Sequence, residues 1–250
     1  MARYKVILAY DGSGFLGSQT QAKSRTVQGE LEKALRKIGW SGKSVLMAGR
    51  TDAGVHALGQ AAAFDLDWTH SLEKLFKALD ANLPPDLAVR SLTPAPADFH
   101  PRFDAVSRRY RYRLFCDPLR DPLRERFLWR VFPPVDGETL IRGAGVFLGT
   151  HDFAAFGSPT TPASRGATTR TVTKAEWKRM PDGEWQFEVR ANAFLYRMAR
   201  RLVFAQVSAA QGKFPLERIQ AALEKRESLP AGLAPARGLT LVEVTYELHE

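Results

Sequence analysis

The stretch Ser107-Arg108-Arg109-Tyr110-Arg111-Tyr112-Arg113-Leu114 alternates with a period of two. As a strand it sends Arg109, Arg111 and Arg113 to one face and Arg108, Tyr110, Tyr112 and Leu114 to the other. Such a strand, running from Val106 to Phe115, opens the second half of the chain. Leu140, Ile141, Ala144, Phe147 and Leu148 follow at helical spacing. Val172 to Arg179 and Trp185 to Arg190 then read as a hairpin turning at Pro181-Asp182-Gly183. Leu195, Met198, Leu202, Ala205 and Ala209 mark a long helix, a shorter helix starts after Pro215, and Leu239 to Leu248 closes as a strand.

The residues upstream give the same order. Tyr4 to Tyr10 reads as a strand, and Val27, Leu31, Ala34, Leu35 and Ile38 as a helix. Ser44 to Ala48 and Gln60 to Leu66 read as strands. Leu72, Leu75, Phe76 and Leu79 mark a helix that ends at the Asn82-Leu83-Pro84-Pro85-Asp86 breaker, before a strand over Leu87 to Leu92. Both halves are therefore β-α-β-β-α-β. The fold class expected is α+β: two ferredoxin-like halves joined into a mixed, mainly antiparallel sheet with helices packed on it. Pro94, Pro96 and Pro101 punctuate Thr93 to Asp104, which sets the halves at residues 1–104 and 105–250.

The 250 residues are 44% hydrophobic and 25% charged, an ordinary globular composition able to bury a core. No apolar run approaches the roughly 18–20 residues of a membrane span. No export signal precedes the first strand, and a lone cysteine, Cys116, fits a reducing compartment, so the expected location is cytoplasmic. The net charge is +9, from 25 Arg and 11 Lys against 27 acidic residues. From Arg102 to Arg130 there are nine Arg, no Lys and four acidic residues, a net of +5. Guanidinium groups bind phosphate bidentately and stack on bases, so an arginine excess beside tyrosines suits RNA, although a solvated basic edge strand has the same composition. Arg197, Arg200 and Arg201 form a third basic group on one face of the long helix, which solvation explains equally well.

Two glycine-rich strings are decoys. Gly12-Ser13-Gly14-Phe15-Leu16-Gly17 matches the dinucleotide-binding pattern, but residues 18–25 lack the helix such a turn must open. Gly39-Trp40-Ser41-Gly42-Lys43-Ser44 resembles a phosphate-binding loop, but Lys37 stands where its first glycine belongs. The five histidines, His56, His70, His100, His151 and His249, show no zinc-binding spacing, and no metal is expected. Asp152, beside His151, reads as a helix-start residue.

Ala48-Gly49-Arg50-Thr51-Asp52-Ala53-Gly54-Val55-His56 lies between two strands. Its glycines permit a tight turn presenting Asp52 at the tip, with Arg50 two residues away to keep the carboxylate ionised. That arrangement suits a nucleophilic or basic aspartate, and equally an Asx-turn with a surface ion pair.

At these residues the sequence resembles the tRNA pseudouridine synthase A family. The resemblance covers nearly the whole chain: Tyr10-Asp11-Gly12 with Gln19 and Gln21, the Gly49-to-His56 string, Ala81-Asn82-Leu83-Pro84, Asp98-Phe99-His100 with Arg102-Phe103, Arg108 to Tyr112, Ala191-Asn192-Ala193-Phe194, and Gly238-Leu239 with Leu241. It implies the pseudouridine synthase fold and isomerisation of uridine to pseudouridine at positions 38, 39 and 40 in the tRNA anticodon stem-loop, by a cytoplasmic homodimer without cofactor. It places the catalytic nucleophile on Asp52, its arginine on Arg50, the base-stacking tyrosine on Tyr110 and an active-site leucine on Leu241. Arg109 and Arg111 are the substrate-holding cations expected beside Tyr110. The family usually has Gly-Trp-Gln where Gly17-Ser18-Gln19 stands, and glycine where Phe204 stands. The competing class is a non-catalytic RNA-binding protein of two ferredoxin-like modules, which lacks an RRM signature strand and gives Asp52 no purpose. A basic assembly protein, the third reading, predicts no preference for tRNA over duplex DNA.

Overall fold

The computed structural model describes residues 1–159, 168–224 and 228–247. Contacts group Met1–Val106 with the chain from Thr240 onward as one unit, and Ser107–Leu239 as a second.

In the first unit β1 (Ala2–Tyr10), α1 (Val27–Lys37), β2 (Leu46–Met47), β3 (His56–Leu66), α2 (Leu72–Asp80) and β4 (Leu87–Ala95) follow the expected order. Strand β1 buries Tyr4, Val6, Leu8 and Tyr10 on one face, as its alternation requires. It pairs antiparallel with β3 on one side and β4 on the other. Helix α1 is capped by Thr26, whose side chain accepts from Gly29 N–H, and it buries Val27, Leu31, Ala34 and Leu35. Ser71 caps α2 in the same way through Lys74 N–H. The expected strand over Ser44 to Ala48 is reduced to Leu46–Met47, because the Glu32 carboxylate takes the Val45 N–H at 3.1 Å.

Strand β3 starts at His56, four residues earlier than the sequence pattern shows. The cause is the closing strand β10 (Leu239–Tyr246), which runs parallel to it, Thr240 opposite His56 and Leu241 opposite Ala57. The sequence division put all of 105–250 in one half; these bonds group the chain from Thr240 onward with the N-terminal unit. Leu248, assigned to that strand, and His249 lie outside the described residues.

The second unit holds β5 (Ala105–Cys116, which begins just before it), β6 (Trp129–Val131), α3 (Gly137–Gly145), β7 (Gly149–Asp152), β8 (Thr169–Arg179), β9 (Trp185–Ala191), α4 (Met198–Ala210) and α5 (Glu217–Leu223). Its strands run β5-β9-β8-β7, all antiparallel, with β6 parallel to β5. The β8–β9 hairpin turns where Gly183 N–H bonds Met180 O at 2.9 Å. Helix α3 packs against β8 and α4. Tyr112, Leu114, Phe147, Phe153, Phe187 and Leu202 lie in the core.

The sequence pattern missed β6 and β7, which are three and four residues long. It also began the long helix at Leu195, three residues before α4 starts. Tyr196 instead exchanges backbone bonds with Ser158, and Arg197 takes a left-handed φ of 63°. His151 and Asp152 lie on β7, and Asp152 accepts from Ala154 N–H at 2.9 Å, opening the short turn Ala154–Phe156. Among the described residues no helix is long and apolar enough to cross a membrane.

Candidate active site

Asp52 begins a tight turn closed by Val55 N–H on Asp52 O at 3.1 Å, with Gly54 at a φ of +77°. Its side chain is half-buried and Arg50 is exposed. The backbone around Asp52 is held from several directions. Gly49 O accepts from Gln60 Nε2 at 3.0 Å, and Gly54 N–H donates to Phe15 O at 3.3 Å. Thr51 N–H donates to Ser18 Oγ at 2.8 Å, and Ser18 N–H donates back to Thr51 O at 3.1 Å. The Thr51 hydroxyl meets the Tyr10 hydroxyl at 2.9 Å. Burial pushes Tyr10 up to about 12, so it stays protonated and serves the loop as a neutral hydrogen-bonding group.

The false dinucleotide motif has a structural purpose here. Gly17, at a φ of +93°, lets the chain pass Thr51 so closely that a Cβ would lie 2.9 Å from Thr51 O. A Cβ on Gly12 would overlap Val55 O. Both glycines let the segment after β1 lie against the Asp52 loop. His56 Nδ1 accepts from Gly12 N–H at 3.0 Å and lies 3.2 Å from Asp11 Oδ1. Leu241, 1% exposed, sits on β10 opposite Ala57, at the β3 end the Asp52 turn runs into.

Tyr110, Arg109 and Arg111 belong to the second unit, and Asp52, Arg50 and Leu241 to the first. Tyr110 is half-buried, with the Phe194 ring against it edge-on at 4.8 Å. Tyr112 on the same strand is fully buried, donates to Pro235 O at 2.8 Å and is held well above the ordinary tyrosine range by burial.

The arginine face of β5 meets two buried carboxylates. Arg111 Nη2 and Arg109 Nη1 lie 2.9 and 3.3 Å from Glu188, and Lys174 Nζ lies 3.0 Å from it. Arg113 and Arg124 lie 2.6 and 3.4 Å from Glu184. Five cations thus surround two carboxylates, so the ladder is held internally and still carries net positive charge. Glu188 lies on β9 and Glu184 four residues earlier, immediately before that strand; the two carboxylates at this spacing were the signal that sequence reasoning passed over. The third basic group is not simply solvated: Arg200 Nε donates to Ala234 O at 2.8 Å, and Arg201 to Gly232 O at 2.7 Å and Leu229 O at 3.3 Å. A cavity of about 580 Å³ in the second unit, lined in part by Phe115, Arg124, Arg179 and Trp185, contains none of the predicted site residues.

A family model described as tRNA pseudouridine synthase matches residues 6–104 and 144–247. The tRNA pseudouridine synthase A of Limosilactobacillus fermentum is 41% identical over 254 residues, spanning 99% of this chain and 97% of that protein. The protein of that name from Chloroflexus aurantiacus is 39% identical, spanning 98% and 89%, and that from Listeria welshimeri 38%, spanning 99% and 100%. The chain belongs to the tRNA pseudouridine synthase family. Members of this family are isomerases that convert uridine to pseudouridine. The matched stretches include Arg50, Asp52 and Leu241, whereas Tyr110, Arg109 and Arg111 fall between them.

Proposed function

We propose that the chain acts on the anticodon stem-loop of tRNA, isomerising uridine at positions 38, 39 and 40, with Asp52 as the catalytic nucleophile. The observation that carries this reading is the half-buried Asp52 on a turn whose backbone is bonded before and after it by Ser18, Gln60 and Phe15. A reacting carboxylate has to be held in place before substrate arrives, and this loop is built for that. The reaction breaks the N1–C1′ bond and forms C5–C1′. The proton lost from C5 is matched by one gained at N1, so neither oxidant nor hydrolytic water is consumed. A carboxylate can start it by attacking C1′, by attacking C6 or by taking the C2′ proton.

A uridine in a stem has to leave its stack to be reached. Tyr110, buttressed edge-on by Phe194, supports the role of stacking the extruded base. Arg50, exposed two residues from Asp52, fits the cation that fills the vacated space. Leu241 supplies an apolar wall beside the turn, where water would otherwise compete for the detached uracil. Arg109 and Arg111, oriented by Glu188, contribute positive potential toward RNA phosphates. The enzyme works as a cytoplasmic homodimer and uses no cofactor.

Asp52→Asn tests the central assignment. The variant is expected to bind tRNA like the parent and to form no pseudouridine, read by mapping modified uridines in tRNA lacking the modification. Turnover at the parent rate would refute the nucleophile, and modification away from 38–40 would refute the positions. Sedimentation of the protein at micromolar concentration reads the dimer, and a monomer would overturn that part.

A further inference from the structure

We propose that Ser18 is a positioning residue for Asp52, acting through the peptide that joins Thr51 to it; this rests on the reading of Asp52 given above. Ser18 is 0% exposed, in the irregular segment between β1 and α1. Buried serines need a reason, since a hydroxyl taken out of water must be hydrogen-bonded. Here its Oγ accepts the Thr51 N–H at 2.8 Å while its own N–H donates to Thr51 O at 3.1 Å. Both backbone groups of the residue before Asp52 are thereby held by one residue. Its carbonyl accepts from Gln28 N–H at 2.9 Å, which ties the grip to the first turn of α1.

The Thr51 hydroxyl is held from the other direction by Tyr10 on β1, so Thr51 is fixed at three atoms. The backbone leading into Asp52 is consequently set by α1 and β1 together. Chain entropy alone would leave a glycine-flanked loop free to wander, and a displacement of about 1 Å at a reacting group costs on the order of 100-fold in rate. The serine hydroxyl also takes the place of a backbone acceptor: an alanine would keep the N–H bond to Thr51 O and lose only the second bond. That makes the side-chain contribution separable from the path of the chain.

The experiment compares Ser18→Ala and Ser18→Thr with the parent, and with Asp52→Asn as reference, using unmodified tRNA. For S18A the expected result is a kcat lowered by about 10- to 100-fold, with KM for tRNA within about twofold of the parent. Amide exchange at Thr51 becomes faster in S18A, while α1 and β3 keep their protection, and S18T restores both rate and protection. A merely structural serine would lower thermal stability without separating kcat from KM. Should S18A fail to fold, Ser18→Cys, a weaker acceptor of similar shape, is read by the same criteria. Parent kcat in S18A, or an S18T that protects Thr51 yet stays slow, overturns the proposal and leaves the Asp52 assignment standing. Parent turnover in D52N defeats the assignment itself.

Discussion

Replacing Glu188 by Gln isolates the centre of the arginine ladder. Glu188 lies on β9 directly across from Arg111, is 7% exposed, and receives Arg109, Arg111 and Lys174. Burial alone would raise its carboxyl; hydrogen bonds from Arg111 and Lys174 and the charges of Lys174 and Arg109 outweigh that and pull it from 4.5 to about 2. A carboxylate with a depressed folded-state pKa stabilises the fold above its unfolded value, and the contribution is lost as pH falls through the folded value. At about 1.4 kcal/mol per pH unit, the interval is worth roughly 3 kcal/mol at neutral pH. That agrees with the roughly 3–5 kcal/mol lost when one partner of a buried pair is removed. At pH 3 less than half of the difference should remain, and it should shrink further as pH falls toward 2. Urea unfolding of both proteins between pH 7 and pH 3 measures this directly. A difference that stays constant over that range would refute the electrostatic account, as would a loss below about 0.5 kcal/mol at pH 7. The variant also removes the negative charge shared by Arg109, Arg111 and Lys174, the last of which keeps Glu176 at 2.7 Å, so tRNA binding should tighten and its salt dependence steepen. An unchanged salt slope would make the ladder a scaffold alone.

Gly232 lies against the ring of Phe204, which a Cβ would overlap. Gly232→Ala, at a φ of +156°, is expected to cost about 1–3 kcal/mol in thermal unfolding, and Phe204→Ala should relieve only the overlap with the ring and leave the backbone strain, so the two changes are non-additive; strict additivity would refute the contact. Arg201 is held partly buried, which lowers its pKa, and it donates to Gly232 O and Leu229 O. Arg201→Ala should cost about 1–3 kcal/mol and speed proteolysis near residues 228–234, leaving the salt slope of tRNA binding unchanged. A shallower slope would make Arg201 a phosphate contact.

The elements with long alternating or helical patterns were legible: Tyr4 to Tyr10, Val27 to Ile38 and the β8–β9 hairpin appear where the pattern places them. The failures lie where another part of the chain decides. Strand β2 shrinks because the Glu32 side chain takes a ladder N–H, and β3 lengthens because β10 arrives beside it from more than 170 positions away in sequence. The Asp52 loop was legible as a glycine-flanked carboxylate. Its anchoring by Ser18, Tyr10 and Gln60 was not, since those bonds join residues 11 to 41 positions apart.

At the two positions that depart from the pattern the resemblance implies, this chain supplies contacts of its own. Where the family resemblance leads one to expect a tryptophan, Ser18 is fully buried and bonds Thr51 at both backbone groups, so polar contacts stand in the place of a large ring. Where it leads one to expect a glycine in the long helix, Phe204 projects onto Gly232, so the glycine is met on the facing segment. That segment is also held to α4 by Arg200 and Arg201, and Pro235 just beyond it accepts from Tyr112. Gly238, whose Cβ would lie 2.5 Å from the Tyr112 ring, then leads directly into β10 and Leu241. Close packing requires that one side of such a contact be small, and in this chain Gly232 is the small side that admits the Phe204 ring.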